Sequence, residues 1–222
     1  DPNSAVAALG ADGARFVALR EVPFDGDGEV SWDSIIRRYN SELANDFGNL
    51  VNRATTMASR AFGAEAPAPR AAAAAPLAAE WESARKKSEA AMEGLALHHW
   101  IGALWEFVGA ANRFVDTEKP WELAKAAKGG DAAAREQLAG VLGDLLEACR
   151  LVALYAAPVI PETAEKIWTL LGHPWPYDAA GHGSQTRAAL GGWGSVAATG
   201  ALGEPVPLFP RLETDEQPAS AD

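Results

Sequence analysis

The stretch from residue 38 to residue 62 constrains the fold most, because it carries two chemically opposed faces. Apolar side chains recur at helical spacing along one side at Leu43, Phe47, Leu50, Ala54, Met57 and Ala61. This spacing predicts an amphipathic helix that packs into a core. The other side carries Asn45, Asn49, Asn52 and Arg53. Asn is a poorer helix former than Lys or Glu, so an Asn-rich face suggests that these side chains recognise something by hydrogen bonds. A face that is merely solvated fits the pattern equally well.

Helical signals continue along the chain and predict an all-α bundle. Residues 2–24 are predicted to form two short helices that end in an extended turn. Ser31 suits the N-cap of a helix that reaches residue 62, with a possible break near Asn40. Further helices are predicted at 77–97, 100–117, 121–127, 131–156 and 161–172, and Asp131 suits the N-cap of the helix at 131–156. The predicted inward face of the 77–97 helix is Trp81, Ala84, Ser88, Ala91 and Leu95.

The segments between and after these helices have a different composition. Residues 64–76 are rich in Ala and Pro and are predicted to be a linker. Residues 173–222 are dense in Gly and Pro, which predicts an irregular and partly loose tail. No run of alternating polar and apolar residues is long enough for a β-sheet.

Composition limits the class of protein. The chain has 222 residues, of which 48% are hydrophobic and 22% charged, as in ordinary globular proteins. It has no apolar run of membrane-spanning length and no signal peptide. Since it also lacks an initiator Met, we interpret it as a fragment, a processed product or an incomplete chain. Its single cysteine, Cys149, lies on an apolar stripe, which predicts a buried thiol in a reducing, cytoplasmic setting.

The net charge is −11, from 30 acidic and 19 basic residues. A protein that binds nucleic acid through a broad electrostatic field is usually basic. If this chain binds RNA, it must therefore use a local patch and base-specific contacts.

The sequence offers little for catalysis or metal binding. It contains no glycine-rich phosphate loop, zinc-ligand spacing or nucleophile elbow. Residues 25–29 imitate a calcium loop, but Val30 and Ile36 stand where that loop requires Gly and Glu, so we predict a glycine-rich turn. His98 and His99 are expected on different helix faces, which favours a structural role. We therefore predict neither a catalytic residue nor a metal site in this chain.

Three residues are better suited to binding a nucleotide base. Asn49 and Arg53 lie one helical turn apart, and together they can bond the Watson–Crick edge of an unpaired base such as cytosine. Trp121 follows Pro120 at a loop-to-helix junction, where an indole can project from a fixed corner and stack on a base. By pattern alone, core packing is the favoured interpretation of Trp121, since the chain has 8 Trp and most must be structural.

Five sequence blocks in order resemble the bacterial methionyl-tRNA synthetases, which are class I aminoacyl-tRNA synthetases. They are REVPF at 20–24, RYNSELANDFGNLVNR at 38–53, KPWELAK at 119–125, PETAEKIW at 161–168 and LFPRLE at 208–213. The resemblance extends from near the first residue to about Glu213, and it is with the C-terminal part of these enzymes.

This resemblance implies roles for particular residues. In the family, a helical Asn and Arg and a Trp after Pro recognise the tRNA anticodon, chiefly its first base. The matching positions are Asn49, Arg53 and Trp121. Supporting positions, expected to hold the loop that carries the Trp, are Asn112, Asp116 and Pro120. Candidate contacts to phosphates are Lys119 and Lys125.

The resemblance also implies a division of the chain and a parent enzyme. Residues 1–30 would end the stem-contact region, 31–172 would form the α-helical anticodon-binding domain, and 173–222 the irregular tail. The family's two ATP-binding signatures are absent, so the chain alone is expected to be inactive and to need no cofactor. The parent would be a cytoplasmic methionine–tRNA ligase that uses ATP and magnesium. The expected partners are initiator and elongator methionine tRNA, read at their CAU anticodon, and the enzyme's own catalytic domain, with no membrane.

Two alternatives stay open from the sequence. A free-standing α-helical module derived from this domain would bind a partner protein, which the net acidity favours. A small-ligand bundle would need a cavity lined by Trp100, Trp105 and Phe107, residues that core packing also explains.

Overall fold

The computed structural model describes residues 2–21, 31–177 and 187–213. Its elements are helices, which confirms the all-α prediction. In chain order they are α1 (Pro2–Glu21), α2 (Trp32–Arg38), the π-helix π1 (Tyr39–Gly48), α3 (Asn49–Phe62), α4 (Pro76–Glu93), α5 (Leu97–Glu118), α6 (Pro120–Lys128), α7 (Ala132–Ala156), α8 (Pro161–Leu170) and α9 (Arg187–Leu190). None of these helices has the length and apolarity to cross a membrane. The predicted turn at 25–29, the end of the REVPF block and residues 214–222 lie outside the described residues.

Helix α7 is the centre of the bundle. Every residue from Val141 to Ala156 is buried, and α3, α4, α5, α6 and α8 all contact this helix. Burial around the whole circumference is typical of a central helix. The predicted caps also hold, since the Asp131 carboxylate accepts from the Ala134 N–H at 3.0 Å. These five helices therefore take their positions from α7.

The Ala/Pro linker crosses α7 in close contact. A Cβ on Gly143 would lie 2.1 Å from the carbonyl oxygen of Ala68, so only glycine allows this approach. Arg70 donates from its backbone N–H and from Nε to the two carboxylate oxygens of Asp144, at 2.8 Å each. Trp193 of the tail donates from Nε1 to the Arg70 carbonyl oxygen at 3.0 Å. The linker is thus fixed between α7 and the tail.

The described parts of the tail, 173–177 and 187–213, are irregular apart from α9, as predicted, and the tail is bonded to the bundle. On α7, the buried side chains of Arg150 and Glu147 form a bidentate ion pair with two bonds of 2.7 Å. Arg150 also donates to the carbonyl oxygens of Leu190 at 2.9 Å and Gly192 at 3.2 Å. Glu147 accepts from the Gly194 N–H at 2.8 Å. The tail therefore supplies hydrogen bonds that a buried ion pair requires.

The predicted helix from 31 to 62 is only partly correct. Ser31 caps α2 as predicted, and its hydroxyl accepts from the Ser34 N–H. The backbone then continues as a π-helix for ten residues before α3 begins. The apolar stripe is confirmed where it matters for packing, because Leu43 and Phe47 are fully buried. π-Helices are rare and usually limited to one turn, and side-chain periodicity alone does not distinguish them from α-helices.

Two local details test the finer sequence predictions. Gly10 has φ 71° and divides α1 into two helices, as predicted for this region. Leu95, which was predicted to point inward, is 65% exposed. The prediction was wrong because α4 ends at Glu93, and Leu95 follows in a left-handed turn with φ 55°.

The thiol of Cys149 should be unreactive in the folded protein. It is fully buried, and burial raises its pKa to about 12. Because the thiolate is the reactive form, we expect no alkylation by iodoacetamide at mildly alkaline pH until urea unfolds the chain. Mass spectrometry of the labelled fraction across a urea series measures this. Labelling without urea at the unfolded rate would contradict it.

Removing one partner of the buried ion pair should destabilise the bundle strongly. We expect Glu147→Gln to lower the free energy of unfolding by about 3–5 kcal/mol, since Arg150 would keep its charge in a buried site. Glu82→Gln is the matched control, because Glu82 pairs with Arg85 at the surface and such pairs contribute about 0–1 kcal/mol. Urea denaturation measures both. Equal losses would show that the Arg150–Glu147 pair is not a buried structural contact.

Candidate nucleic-acid interface

The amide-rich face predicted from the sequence is exposed in the structure. Asn49 is the first residue of α3, and Asn45 precedes it in π1. Both side chains are exposed, as is Asn52. Arg53, one turn after Asn49, keeps 33% of its side chain exposed. Amide and guanidinium groups are therefore presented together on one side of α3.

An ion pair links this face to α5. Arg53 Nη2 lies 3.7 Å from Asp116 Oδ1, in the last turn of α5. The Asp116 side chain is 72% exposed, and an ion pair this exposed contributes about 0–1 kcal/mol. Asp116 is thus a weakly bound partner of Arg53. The Arg53 guanidinium can therefore exchange it for another acceptor. This places Asp116 beside Arg53 instead of under the loop that carries Trp121, where the sequence had suggested it.

Trp121 stands on a sharp corner between two helices. Lys119 adopts the left-handed conformation, with φ 45° and ψ 60°, and both ends α5 and starts α6. Pro120 is buried as the first residue of α6, while Trp121 is 46% exposed. Of the 8 Trp, all of which lie in the described ranges, Trp121 is the one in the exposed class. The structure therefore excludes core packing for Trp121.

These elements bring the predicted base-binding residues to one end of the bundle. Helix α3, which carries Asn49 and Arg53, contacts both α5 and α6. Asp116, the ion-pair partner of Arg53, lies in the last turn of α5, and Trp121 follows after the corner at Lys119. An unpaired base stacked on the indole can therefore turn its edge towards amide and guanidinium donors.

The two candidate phosphate contacts are both exposed. Lys119 Nζ lies 3.4 Å from Glu122 Oε1, in an exposed ion pair. Lys125 lies in the last turn of α6 together with Lys128, where positive charge also favours the helix dipole. Both lysines flank Trp121 in the chain, a position that suits contact with a phosphate.

Asn112 makes a different contact from the one predicted. Its amide donates to the carbonyl oxygen of Asp46 at 3.2 Å and to that of Val108 at 3.2 Å. Asn112 therefore joins α5 to π1, and not to the corner that carries Trp121. Sequence reasoning missed a second such contact, since Trp105 donates from Nε1 to the Glu42 carbonyl oxygen at 2.9 Å. A π-helix leaves carbonyl groups displaced from α-helical partners, which no spacing in the sequence indicates.

Two carboxylates, those of Glu42 and Asp46, lie on π1. Glu42 accepts from Arg20 at 3.0 Å and from Arg38 at 2.6 Å. Burial, and then the charge of Glu42, raise the pKa of Asp46. The surface beside the amide face is therefore not uniformly positive, which agrees with the expectation that binding relies on local contacts.

The residues proposed for a small-ligand cavity do not share one. Trp105 lines a cavity of about 720 Å³, whereas Trp100 and Phe107 line two other depressions. His98 and His99 also line the Trp105 cavity. The expectation that they point to different faces was wrong, because their ring centroids are only 4.0 Å apart. Among the described residues, no group of three or more His, Cys, Asp or Glu side chains is arranged to hold a metal ion.

Comparison with known proteins assigns this architecture to a class. A family model described as class I tRNA synthetases (M) matches residues 1–55. The methionine–tRNA ligase of Bacillus subtilis is 33% identical over 98% of this chain, which spans 31% of that protein. The corresponding ligase of Streptomyces coelicolor is 34% identical over 99% of the chain, which spans 40% of it.

Solved structures agree with the sequence matches. The free form of Mycobacterium tuberculosis methionyl-tRNA synthetase superposes with a TM-score of 0.80 and 33% identity. That match covers 96% of this chain and 41% of the solved chain. By sequence and fold, the chain belongs with the class I tRNA synthetases. Within that class its family is that of the methionyl-tRNA synthetases, of which it spans well under half the length. None of these matches supports a free-standing interaction module.

Replacing Lys119 should show that its backbone is strained. A non-glycine residue in the left-handed region costs roughly 1–2 kcal/mol, which glycine avoids. We expect Lys119→Gly to have a higher free energy of unfolding than Lys119→Ala, although both remove the same charge. Thermal and urea denaturation measure the difference. An alanine variant as stable as the glycine variant would contradict a left-handed corner at this position.

Proposed function

We propose that this chain is the part of a methionine–tRNA ligase that recognises the CAU anticodon of methionine tRNAs. The observation that carries the proposal is the exposed indole of Trp121 at a fixed corner, on a helix that contacts the helix of Asn49 and Arg53. The relatives are named as methionine–tRNA ligases, which attach methionine to tRNA, and this supports the choice of tRNA as partner.

The proposed mechanism is direct readout of an unpaired base. The first anticodon base stacks on Trp121, and Asn49 and Arg53 bond its Watson–Crick edge. A wrong base leaves donors or acceptors of the site unpaired, which costs about 1–3 kcal/mol per mismatch. Lys119 and Lys125 contact the flanking phosphates. The acidic net charge of −11 then disfavours RNA that offers phosphates but no matching base.

The parent enzyme would carry out the chemistry elsewhere. We assign ATP and magnesium to its catalytic domain. The bundle would then act on substrate choice alone, in the cytoplasm, with initiator and elongator methionine tRNA as partners. The stem-contact region at 1–30 would connect it to the catalytic domain.

The central test is binding to an RNA anticodon stem-loop with CAU, compared with the same loop with its first base changed. We expect roughly 5- to 150-fold tighter binding to CAU, the equivalent of one well-made base contact. This ratio should persist as the salt concentration rises, because base contacts release few counterions. Equal affinity for both loops, in the chain and in the full-length parent, would contradict anticodon recognition.

Variants of the proposed site locate the binding. We expect Arg53→Ala and Trp121→Ala to reduce the preference for CAU to near unity, while Trp121→Phe retains part of it through stacking. Arg60→Ala is the matched control for Arg53, because Arg60 is an exposed arginine in the last turn of the same helix. A loss of preference in Arg60→Ala equal to that in Arg53→Ala would assign the effect to general charge.

A further inference from the structure

The π-helix directly precedes the proposed base-reading residues. π1 ends at Gly48, and Asn49 begins α3. The Asn49 N–H donates to the carbonyl oxygens of Ala44, five residues earlier, and of Asp46, three residues earlier, whereas an α-helix uses the fourth residue back. The orientation of Asn49 relative to the buried Leu43 and Phe47 therefore depends on π1 keeping its wider turns. Relaxation by one residue would rotate a following side chain by about 100° about the helix axis.

A π-helix needs support from outside, because it is rarely stable over more than a turn. One side of π1 receives that support from α5, through Trp105 and Asn112, which donate to the carbonyl oxygens of Glu42 and Asp46. These bonds satisfy carbonyl groups at the middle and near the end of π1. They do not reach its beginning, where Asn40 lies.

The beginning of π1 is held by the tail. Asn40 Nδ2 donates to the Leu212 carbonyl oxygen at 2.8 Å, and the Leu212 N–H donates to Asn40 Oδ1 at 2.9 Å. The two residues are 172 positions apart. A side-chain amide that makes both bonds to one backbone unit fixes the direction of each partner. This contact therefore specifies a register between the tail and π1, and does more than bury surface.

The same tail segment also supports the end of π1. The ring of Phe209 is buried and meets the Tyr39 ring edge-on at a centroid distance of 6.2 Å. The same ring approaches Gly48, where an added Cβ would lie only 3.3 Å from it. That Cβ would also lie 2.9 Å from the carbonyl oxygen of Leu43, within π1 itself. The tail segment Phe209–Leu212 thus contacts both the first turn and the last residue of π1.

We propose that the tail segment Phe209–Leu212 is a positioning element for anticodon recognition, acting by holding π1 and so fixing where Asn49 and Arg53 point. This inference rests on the proposed function, because it assigns a new determinant to the same base-reading site. Asn40, Phe209 and Leu212 are positioning residues and make no contact with the base themselves.

Two pairs of variants test the proposal. Asn40→Ala removes both bonds to Leu212, and Asn3→Ala is its control, since Asn3 is an exposed Asn on α1. A chain that ends at residue 207 lacks the positioning segment, whereas one that ends at residue 213 keeps it and loses only residues 214–222. Asn40→Asp keeps an acceptor for the Leu212 N–H and should restore part of any loss.

The decisive readout is the dissociation constant for the loop with a changed first base divided by the dissociation constant for the CAU loop. For Asn40→Ala and the 207-residue chain we expect this ratio to fall roughly 5- to 150-fold, with the full fraction of molecules still able to bind RNA. A merely structural role predicts the opposite pattern, a smaller active fraction with an unchanged ratio. An unchanged ratio, in variants of a wild-type chain that does discriminate, overturns the positioning role and leaves the proposed function intact.

A second readout does not depend on RNA. We expect hydrogen exchange of the backbone amides at 44–53 to accelerate in Asn40→Ala and in the 207-residue chain, but not in Asn3→Ala or the 213-residue chain. Exchange at the wild-type rate in both variants overturns the proposal whether or not RNA binds. A wild-type chain and parent that fail to discriminate between the loops overturn the proposed function, and with it the role of the tail in recognition.

Discussion

The burial of α7 from Val141 to Ala156 is the constraint on which the rest of the structure depends. A helical segment that is buried around its whole circumference must be covered on every side, and five helices, the Ala/Pro linker and the tail cover it. The few polar groups on α7 then dictate which backbone covers them. Asp144 requires donors and takes them from Arg70, and the Arg150–Glu147 pair takes its additional partners from residues 190–194. Segments without regular structure are therefore held in place by hydrogen bonds to the buried polar groups of α7.

The proposed base-reading site uses backbone conformations that the rest of the bundle must stabilise. Lys119 is left-handed without being glycine, and π1 has a hydrogen-bonding pattern that is rarely sustained. Both are less favourable than the α-helical alternative, and both lie next to the residues assigned to recognition. Such conformations persist only where surrounding contacts determine them, and they concentrate at functional sites. Here those contacts come from α5, α6 and the tail.

The charge of the protein is consistent with selective binding. An acidic chain repels RNA in general, so contacts to a particular base must supply the preference. The side chains on the proposed face suit this task, because amide, guanidinium and indole groups recognise shape and hydrogen-bonding pattern more than charge. The ion pair between Arg53 and Asp116 is also compatible with selective binding, since it is weak enough for the guanidinium to exchange Asp116 for another acceptor.

The sequence by itself determined the helical architecture, the burial of Cys149, the caps at Ser31 and Asp131, and the family resemblance. These follow from local periodicity, capping chemistry and short motifs, which depend on neighbours in the chain. Only the tertiary structure decided that Trp121 is exposed, that Leu95 lies outside the core, and that Asn112 supports π1. It alone revealed the π-helix and the bonds from Asn40 to Leu212. Those features depend on which distant groups satisfy a carbonyl or cover a ring, and residues 172 positions apart leave no periodic signal.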